Sequence, residues 1–587
     1  MPTTPTTPPT LAAPARFITP PDLHAALRAR GELALLDVRE ARAYVRAHLA
    51  LARMAPLSCL ELDVGAMVPR RGTPVILVDD AGADGSDGAA GGPGPALRAR
   101  TLLMRRLGYT DVRVLAGGVA GWIAEGLPVI DGYGALVKAF GDRMRRHHAT
   151  PGVTGALLRG RRAAGEPVTL VDARPADEYA YLALPGGANH AGTELALRDW
   201  GAGAAAGPWI VNCFSRTRGI IGATTLRVLG HPDARFLEDG VMQWTLDGAP
   251  AVADADPAFA LPDAPAGELR RRADALIDRH RLARVRPDAL ARLRMATDRT
   301  LYAFDLRPGA VDGAPWQDGG GDGGDGDGDG DGVTVRAVAG GQLLMHFENL
   351  VGTRHARIVL IDETHRLRAA VTSYWLTQLD QAEVLILDGP PPCGAPTPCG
   401  APTPRRSPAP ARTAGAAEGE ALSPARLSAL LADGSAHVEV IDVGPSAEYE
   451  RHHLPRARFL LPFTWAPLAG LGTGARIVFT SPDGRAARLA ARDACERRPG
   501  AAAWLDGGTR AWRDAGLPTE REWAPWQLLT PFEDDWGSVM RLPPERRPDA
   551  WRDYLAWERA LDAQMARDAT VSFRPFAPWP PTPAPTT

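Results

Sequence analysis

Residues 168–175 read VTLVDARP, and three other stretches repeat the pattern: LALLDVRE at 33–40, TLYAFDLRP at 300–308 and VEVIDVGP at 438–445. Each is an apolar run closed by an aspartate (Asp37, Asp172, Asp305, Asp442). In the first three of these an arginine follows two positions on (Arg39, Arg174, Arg307). The aspartates lie 135, 133 and 137 residues apart. Self-similarity at a fixed long period is the mark of tandem units. A chain of 587 residues agrees with about four domains of roughly 150 residues each.

The repeats share more than their opening. EARAYVRAHL (40–49), PADEYAYLALPGGAN (175–189) and PSAEYERHHLPRAR (445–458) follow three of the aspartates. A glycine–tryptophan signature closes three units: Gly117, Gly118 and Trp122; Gly240 and Trp244; Gly507, Gly508 and Trp512. The third unit ends at VLILDG, just before proline-rich sequence, so its last helix is expected to be missing. Between opening and closing lies another short apolar run: PVILVD, PWIVNC, RIVLID and RIVFTS. Each leads, at once or after an insertion, into a helical pattern such as GIIGATTLRVLG (219–230). Short Val/Ile-rich runs alternating with helical stretches predict βα units around a mostly parallel sheet. The fold class is therefore α/β: four tandem domains, each a small, mostly parallel sheet flanked by helices, plus a helical C-terminal tail.

The expected organisation is a disordered N-terminus (1–16), domain one (17–131), domain two (132–260), domain three (265–390), a Pro-rich linker (391–418), domain four (419–521) and a tail (522–587). The stretch 549–568 in that tail has apolar residues at three- and four-residue spacing and predicts a helix packed on a domain. Insertions interrupt the repeats at 81–95 and at 317–332, the second almost pure Asp and Gly. It lacks the spacing of a calcium-binding β-roll and is expected to be a flexible acidic loop.

Composition excludes several classes. With 45% hydrophobic and 23% charged residues the chain is globular. A net charge of −3 implies no general affinity for nucleic acid or anionic membranes. No apolar run of about 18 residues predicts a membrane span. The start of the chain lacks the features of a secretory signal, so a cytoplasmic location is expected. Five cysteines cannot make a disulfide scaffold. Cys393 and Cys399 lie in a tandem CGAPTP with no further ligands nearby, so no metal site is expected. Cys59 and Cys495 are expected to be packed cysteines. Lys138 is the single lysine among 66 basic residues; the arginine bias is that of a GC-rich coding sequence, so individual arginines carry no functional weight by number alone.

The chemistry concentrates at Cys213. It ends the central apolar run of domain two and is followed by Phe214, Ser215, Arg216, Thr217, Arg218 and Gly219 before an apolar helix. A strand–Cys–loop–helix order places sulfur at a helix N-terminus among inward-pointing backbone N–H groups. Arg216 and Arg218 add positive charge. All three effects favour the thiolate, which is the nucleophile, and the same cradle suits an anionic substrate.

The Asp-x-Arg opening, the Cys-x4-Arg loop and the Gly-Gly-x3-Trp ending resemble rhodanese domains. The resemblance covers residues 17–390 and 415–520 and is weaker in the third repeat. The whole chain looks like four-domain bacterial rhodanese-like sulfurtransferases with one active repeat. The resemblance implies that Cys213 takes a sulfane sulfur from a small anionic donor such as thiosulfate and holds it as a persulfide. It would pass the sulfur to cyanide, a thiol or a protein acceptor, with no metal or organic cofactor. It implies that Arg218 binds the donor and Arg216 assists. The backbone N–H groups from Phe214 through Ser215 and Thr217 to Gly219 would stabilise negative sulfur. Asp172 and Arg174 would form a supporting ion pair, and Glu194 is a weaker candidate for the site. Phe214 replaces the commoner basic or small residue, which puts donor preference in question.

By alignment of the apolar runs, Asp79, Asp362 and Thr480 occupy the cysteine position elsewhere, and Arg485 closes a loop of the same length in the fourth repeat. These repeats are expected to be scaffold or interaction domains. The alternatives are a non-catalytic scaffold or persulfide relay, a cysteine phosphatase, which needs five residues between Cys and Arg where this chain has the four from Phe214 to Thr217, and a mercaptopyruvate-using transferase, whose loop is small and uncharged.

Overall fold

The computed structural model describes residues 16–80, 94–200, 207–312, 334–390, 419–433, 437–470, 475–498, 500 and 502–578. Residues 81–93 of the first insertion, the Asp/Gly stretch 317–332, the linker 391–418 with Cys393 and Cys399, and residues 1–15 lie outside the described residues.

The described residues form four sheets, one per repeat. In the second, the strands run Gly152–Val153, Arg235–Leu237, Trp209–Asn212, Thr169–Asp172 and Ala188–Asn189, all parallel. The other three repeat this order, and the central strands are buried because helices cover both faces. Thr353–Arg354 of the third repeat pairs antiparallel with Leu33–Asp37 of the first, joining those two units through the backbone. No helix follows the strand Glu383–Leu387 within the described residues of the third repeat.

The shared motifs are clamps. Arg39, Arg174 and Arg307 each donate Nε and a terminal nitrogen to the aspartate two residues back, at 2.7–3.0 Å. Each pair is buried, so its charges are worth keeping together. The closing tryptophans Trp122, Trp244 and Trp512 each donate the indole N–H to a proline carbonyl six residues on, at 2.8–2.9 Å.

The fourth repeat has Gly444 where the clamp arginine would sit. Asp442 is left with the Gly444 N–H at 2.8 Å. Burial pushes its pKa up to about 7. A carboxyl raised on folding binds its proton more tightly in the folded state, so its contribution to stability is lost as pH rises from about 4 through 7. Asp442→Asn is expected to raise the melting temperature at pH 8 by roughly 5 °C and to leave it unchanged at pH 4. Thermal scans at the two pH values check this, and equal shifts at both would refute it.

The helix Ala135–His147, between the first two sheets, buries Leu136, Val137, Phe140 and Met144 in a core shared by the first three repeats. The tail forms the helix Arg547–Met565. Its Trp551, Leu555 and Leu561 are buried, and it lies against both Ala135–His147 and the second repeat. Among the described residues no helix is long and apolar enough to cross a membrane.

Candidate active site

Cys213 directly follows the strand Trp209–Asn212 and precedes the helix Thr217–Val228. The loop between them wraps the sulfur, and the Gly219 N–H bonds to it. Its floor is the closing turn, where Val241 and Met242 donate to the carbonyls of Cys213 and Phe214 at 3.0 Å. Gly240 must be glycine: it has φ +55°, and a Cβ there would strike the Cys213 carbonyl. Asp172, clamped by Arg174, accepts from Asn212 at 2.8 Å and so supports the loop from below.

Two expectations change in the folded chain. First, burial dominates the sulfur. Cys213 is 2% exposed, and burial pushes its thiol up to about 11. Arg218 and the Gly219 N–H oppose that rise; Glu558 and Asp172 add to it. Cradle and cation are present, but desolvation of the thiolate outweighs them in this closed loop.

Second, both loop arginines are paired. Arg218 donates to both oxygens of Glu178, at 2.7 and 2.6 Å. Burial raises Glu178, yet the guanidinium outweighs it and holds the carboxyl below its usual range. Arg216, expected to assist with the donor, bridges Asp142 and Asp239 at 2.6 Å each and anchors the loop instead. Asp239 also pairs with Arg559 of the tail helix. Asp239 adopts φ +55°, a left-handed position that Gly117 and Gly507 hold in the first and fourth repeats. Its two ion pairs are the reason for an aspartate at that cost.

The tail helix closes the site from above, although it lies some 340 residues along the chain. Trp551 meets the Phe214 ring edge to face at 5.5 Å. Thr217 donates to Glu558 at 3.1 Å, and Ser215 hydrogen-bonds both Glu558 and Tyr554. Glu558 is buried, and burial pushes its carboxyl up, against the pull of Lys138 and the loop hydroxyls. Glu194 lies apart from this network, paired with Arg368 at 2.5 Å and with Arg198.

Glu178, Asp142, Asp239, Lys138, Tyr554 and Glu558 were not singled out for the site from the sequence. Two left a trace there: Asp239 stands where sister repeats have glycine, and Lys138 is the lone lysine of an arginine-rich chain.

Strand register settles what replaces the cysteine elsewhere. Asp172 pairs with Asn212, Asp37 with Val78, Asp305 with Ile361 and Asp442 with Thr480. The next residue is the equivalent of Cys213, so Asp79 and Asp362 hold that place. In the fourth repeat it is Ser481, which corrects Thr480 by one residue. Arg485 then aligns with Thr217, and Ala486 with Arg218. The cradle survives in all three: Ala96, Ala369 and Ala487 donate N–H to the side chains of Asp79, Asp362 and Ser481 at 3.1–3.2 Å. An oxygen fills the place of sulfur and consumes the donor. Cys495 is buried, with Sγ 3.5 Å from the Ala502 carbonyl. Cys59 caps a helix, and burial raises its thiol well above the usual range.

A family model described as a rhodanese-like domain matches residues 19–125 and 423–515, the first and fourth repeats. The crystal structure of a thiosulfate sulfurtransferase from Pseudomonas aeruginosa is 31% identical over 95% of this chain and 99% of its own, with a TM-score of 0.81. The chain belongs to the rhodanese-like family, in its multi-domain form. A Rhodopseudomonas palustris protein of unknown function, described as a possible tyrosine phosphatase, is 28% identical over 17% of this chain and 85% of its own, at a TM-score of 0.16. No curated protein matches the sequence.

Proposed function

We propose that this protein transfers sulfane sulfur through a persulfide on Cys213, with thiosulfate as donor and cyanide or a thiol as acceptor. One observation carries the reading: of four equivalent cradles, only that of the second repeat holds a sulfur, with Arg218 beside it. In the loading step the Cys213 thiolate attacks the outer sulfur of thiosulfate. A new S–S bond forms, the old one breaks, and sulfite leaves with the electron pair. The persulfide is the carrier, so the step calls on no resident metal or organic cofactor. The four-residue spacing between Cys213 and Arg218 supports sulfur over phosphoryl transfer, and the charge of Arg218 beside the sulfur supports a dianionic donor over the singly charged mercaptopyruvate.

Intact mass before and after thiosulfate tests it. A gain of about 32 Da on Cys213, removed by cyanide, is expected. A Cys213 that alkylates yet never gains sulfur from thiosulfate would exclude that donor.

The buried thiol has a kinetic consequence. Iodoacetamide is expected to label Cys213 slowly at pH 7, the rate climbing with pH toward about 11. Glu558→Gln keeps an oxygen for Thr217 to bond and removes a negative charge near sulfur. Its labelling profile is expected to move to lower pH, by on the order of half a unit. An unshifted profile would show that the Glu558 charge does not reach the sulfur.

A further inference from the structure

Glu178 occupies the face of Arg218 that an anionic donor needs, and the reaction above gives it no part. It sits in the short helix Ala176–Tyr181, just after the clamp of the second repeat. Arg174 holds Asp172 with Nε and one terminal nitrogen, and donates the other to the Glu178 carbonyl oxygen at 3.1 Å. The next residue is pinned as well: the Tyr179 hydroxyl donates to the Gly187 carbonyl at 3.1 Å. The backbone beneath the carboxylate is therefore tied to the clamp that supports the Cys213 loop, and only side-chain torsions separate its bound position from a released one.

Both terminal nitrogens of Arg218 are taken by the two oxygens of Glu178, at 2.7 and 2.6 Å. The two side chains are 15% and 18% exposed, so solvent reaches the pair although it hardly reaches the buried sulfur. Arg218 is also the strongest of the groups that favour the Cys213 thiolate, so one guanidinium acts on both the carboxylate and the sulfur.

The fourth repeat shows what this carboxylate does without an arginine. Its helix Ser446–Arg451 carries Glu448 at the same place, six residues after the strand aspartate, and Ala486 stands where the second repeat has Arg218. There Glu448 pairs at the surface with Arg451 of its own helix. The first and third repeats have Ala43 and Val311 at that spacing. The glutamate turns to the loop in the repeat whose loop offers it an arginine, the same repeat that holds the cysteine.

The structure assigns Glu178 the part of an internal anion, a tethered competitor for Arg218 that the donor displaces on entry and that displaces sulfite after the transfer. The assignment rests on the sulfur-transfer reading above. Glu178 acts through Arg218 and is a positioning residue. A carboxylate held in the same repeat competes at a fixed effective concentration, so it weakens every small anion at Arg218 by one common factor. Thiosulfate loses affinity by that factor, and so does sulfite, which would otherwise stay on the guanidinium and block the next donor. No covalent bond changes in either exchange, and the guanidinium is left with a charged partner in both states.

Sulfate, an unreactive dianion, tests the exchange apart from the chemistry. In calorimetric titration of Cys213→Ser with sulfate, adding Glu178→Gln is expected to lower the dissociation constant about tenfold, and adding Arg218→Ala as well is expected to abolish that gain. Glu178→Ala, a second way to remove the carboxylate, is expected to give the same gain as Glu178→Gln. In turnover from thiosulfate to cyanide, Glu178→Gln is expected to lower the donor KM and the sulfite inhibition constant together, each by about tenfold, and to slow turnover as sulfite accumulates. A sulfate affinity that neither substitution of Glu178 improves overturns the assignment, as does a gain that survives the loss of Arg218. A donor KM that falls while sulfite inhibition stays fixed also overturns it, because one guanidinium holds both anions. Tighter sulfate binding in a protein that never gains sulfur from thiosulfate would refute the donor reading and leave the competition at Arg218 standing.

Discussion

Cys213→Ser is expected to abolish sulfur loading and to lower thiosulfate:cyanide turnover by roughly four orders of magnitude or more, while the protein melts within about 2 °C of wild type. The first half follows from chemistry: an alkoxide is inaccessible at neutral pH and forms no persulfide. The second half follows from this molecule. Its fourth repeat already holds a serine in the equivalent cradle, where Ser481 accepts the Ala487 N–H at 3.2 Å. The introduced hydroxyl would meet the Gly219 N–H in the same way, so no buried amide is orphaned. Mass spectrometry, steady-state assay and a melting curve together check it. Retained turnover would remove Cys213 from the mechanism, and a collapsed fold would show that the loop needs sulfur to pack.

Arg218→Ala is expected to raise the KM for thiosulfate by about 10- to 150-fold, the equivalent of ~1.5–3 kcal/mol for a lost charge-assisted contact. It also leaves the mostly buried Glu178 without its partner, which lowers stability. The two effects separate in the double variant Arg218→Ala/Glu178→Gln. Stability returns because the stranded charge is gone; the donor KM stays high because the cation is gone. A KM restored along with stability would reduce Arg218 to a structural role.

The paired state of Arg218 also says how the site is built. In the closed loop the Arg218 guanidinium spends its charge on Glu178, Arg216 spends its own on Asp142 and Asp239, and Cys213 is buried. Such an arrangement protects a reactive sulfur from water and preorganises the cradle. Under the proposed reaction, donor entry is an exchange of anions at Arg218, from the Glu178 carboxylate to the substrate.

Much of this was legible in the linear chain. The spacing of Asp37, Asp172, Asp305 and Asp442 announces four copies of one unit, because each copy must rebuild the same strand ending in a buried aspartate. The alternation of short Val/Ile runs with helical stretches dictates a parallel sheet, and the strand–Cys213–loop–helix order dictates the cradle. These are local features, set by backbone geometry and side-chain periodicity within a few tens of residues.

The rest is non-local. The equivalence of Ser481 rather than Thr480 to Cys213 depends on register, which is read from pairings between strands and slips by one residue in a gapless reading of RIVFTS. The high pKa of Cys213 depends on how much water the assembled chain excludes; the arginines beside it were visible, but their partners Glu178, Asp142 and Asp239 were not. Glu558 reaches the Cys213 loop only because the tail folds back across the molecule. The sequence by itself determined the repeated α/β unit and the one repeat whose central strand runs into a cysteine. Tertiary structure alone decided which charges face that sulfur and which repeats enclose it, because burial and ion pairing depend on distances in space and not on positions along the chain.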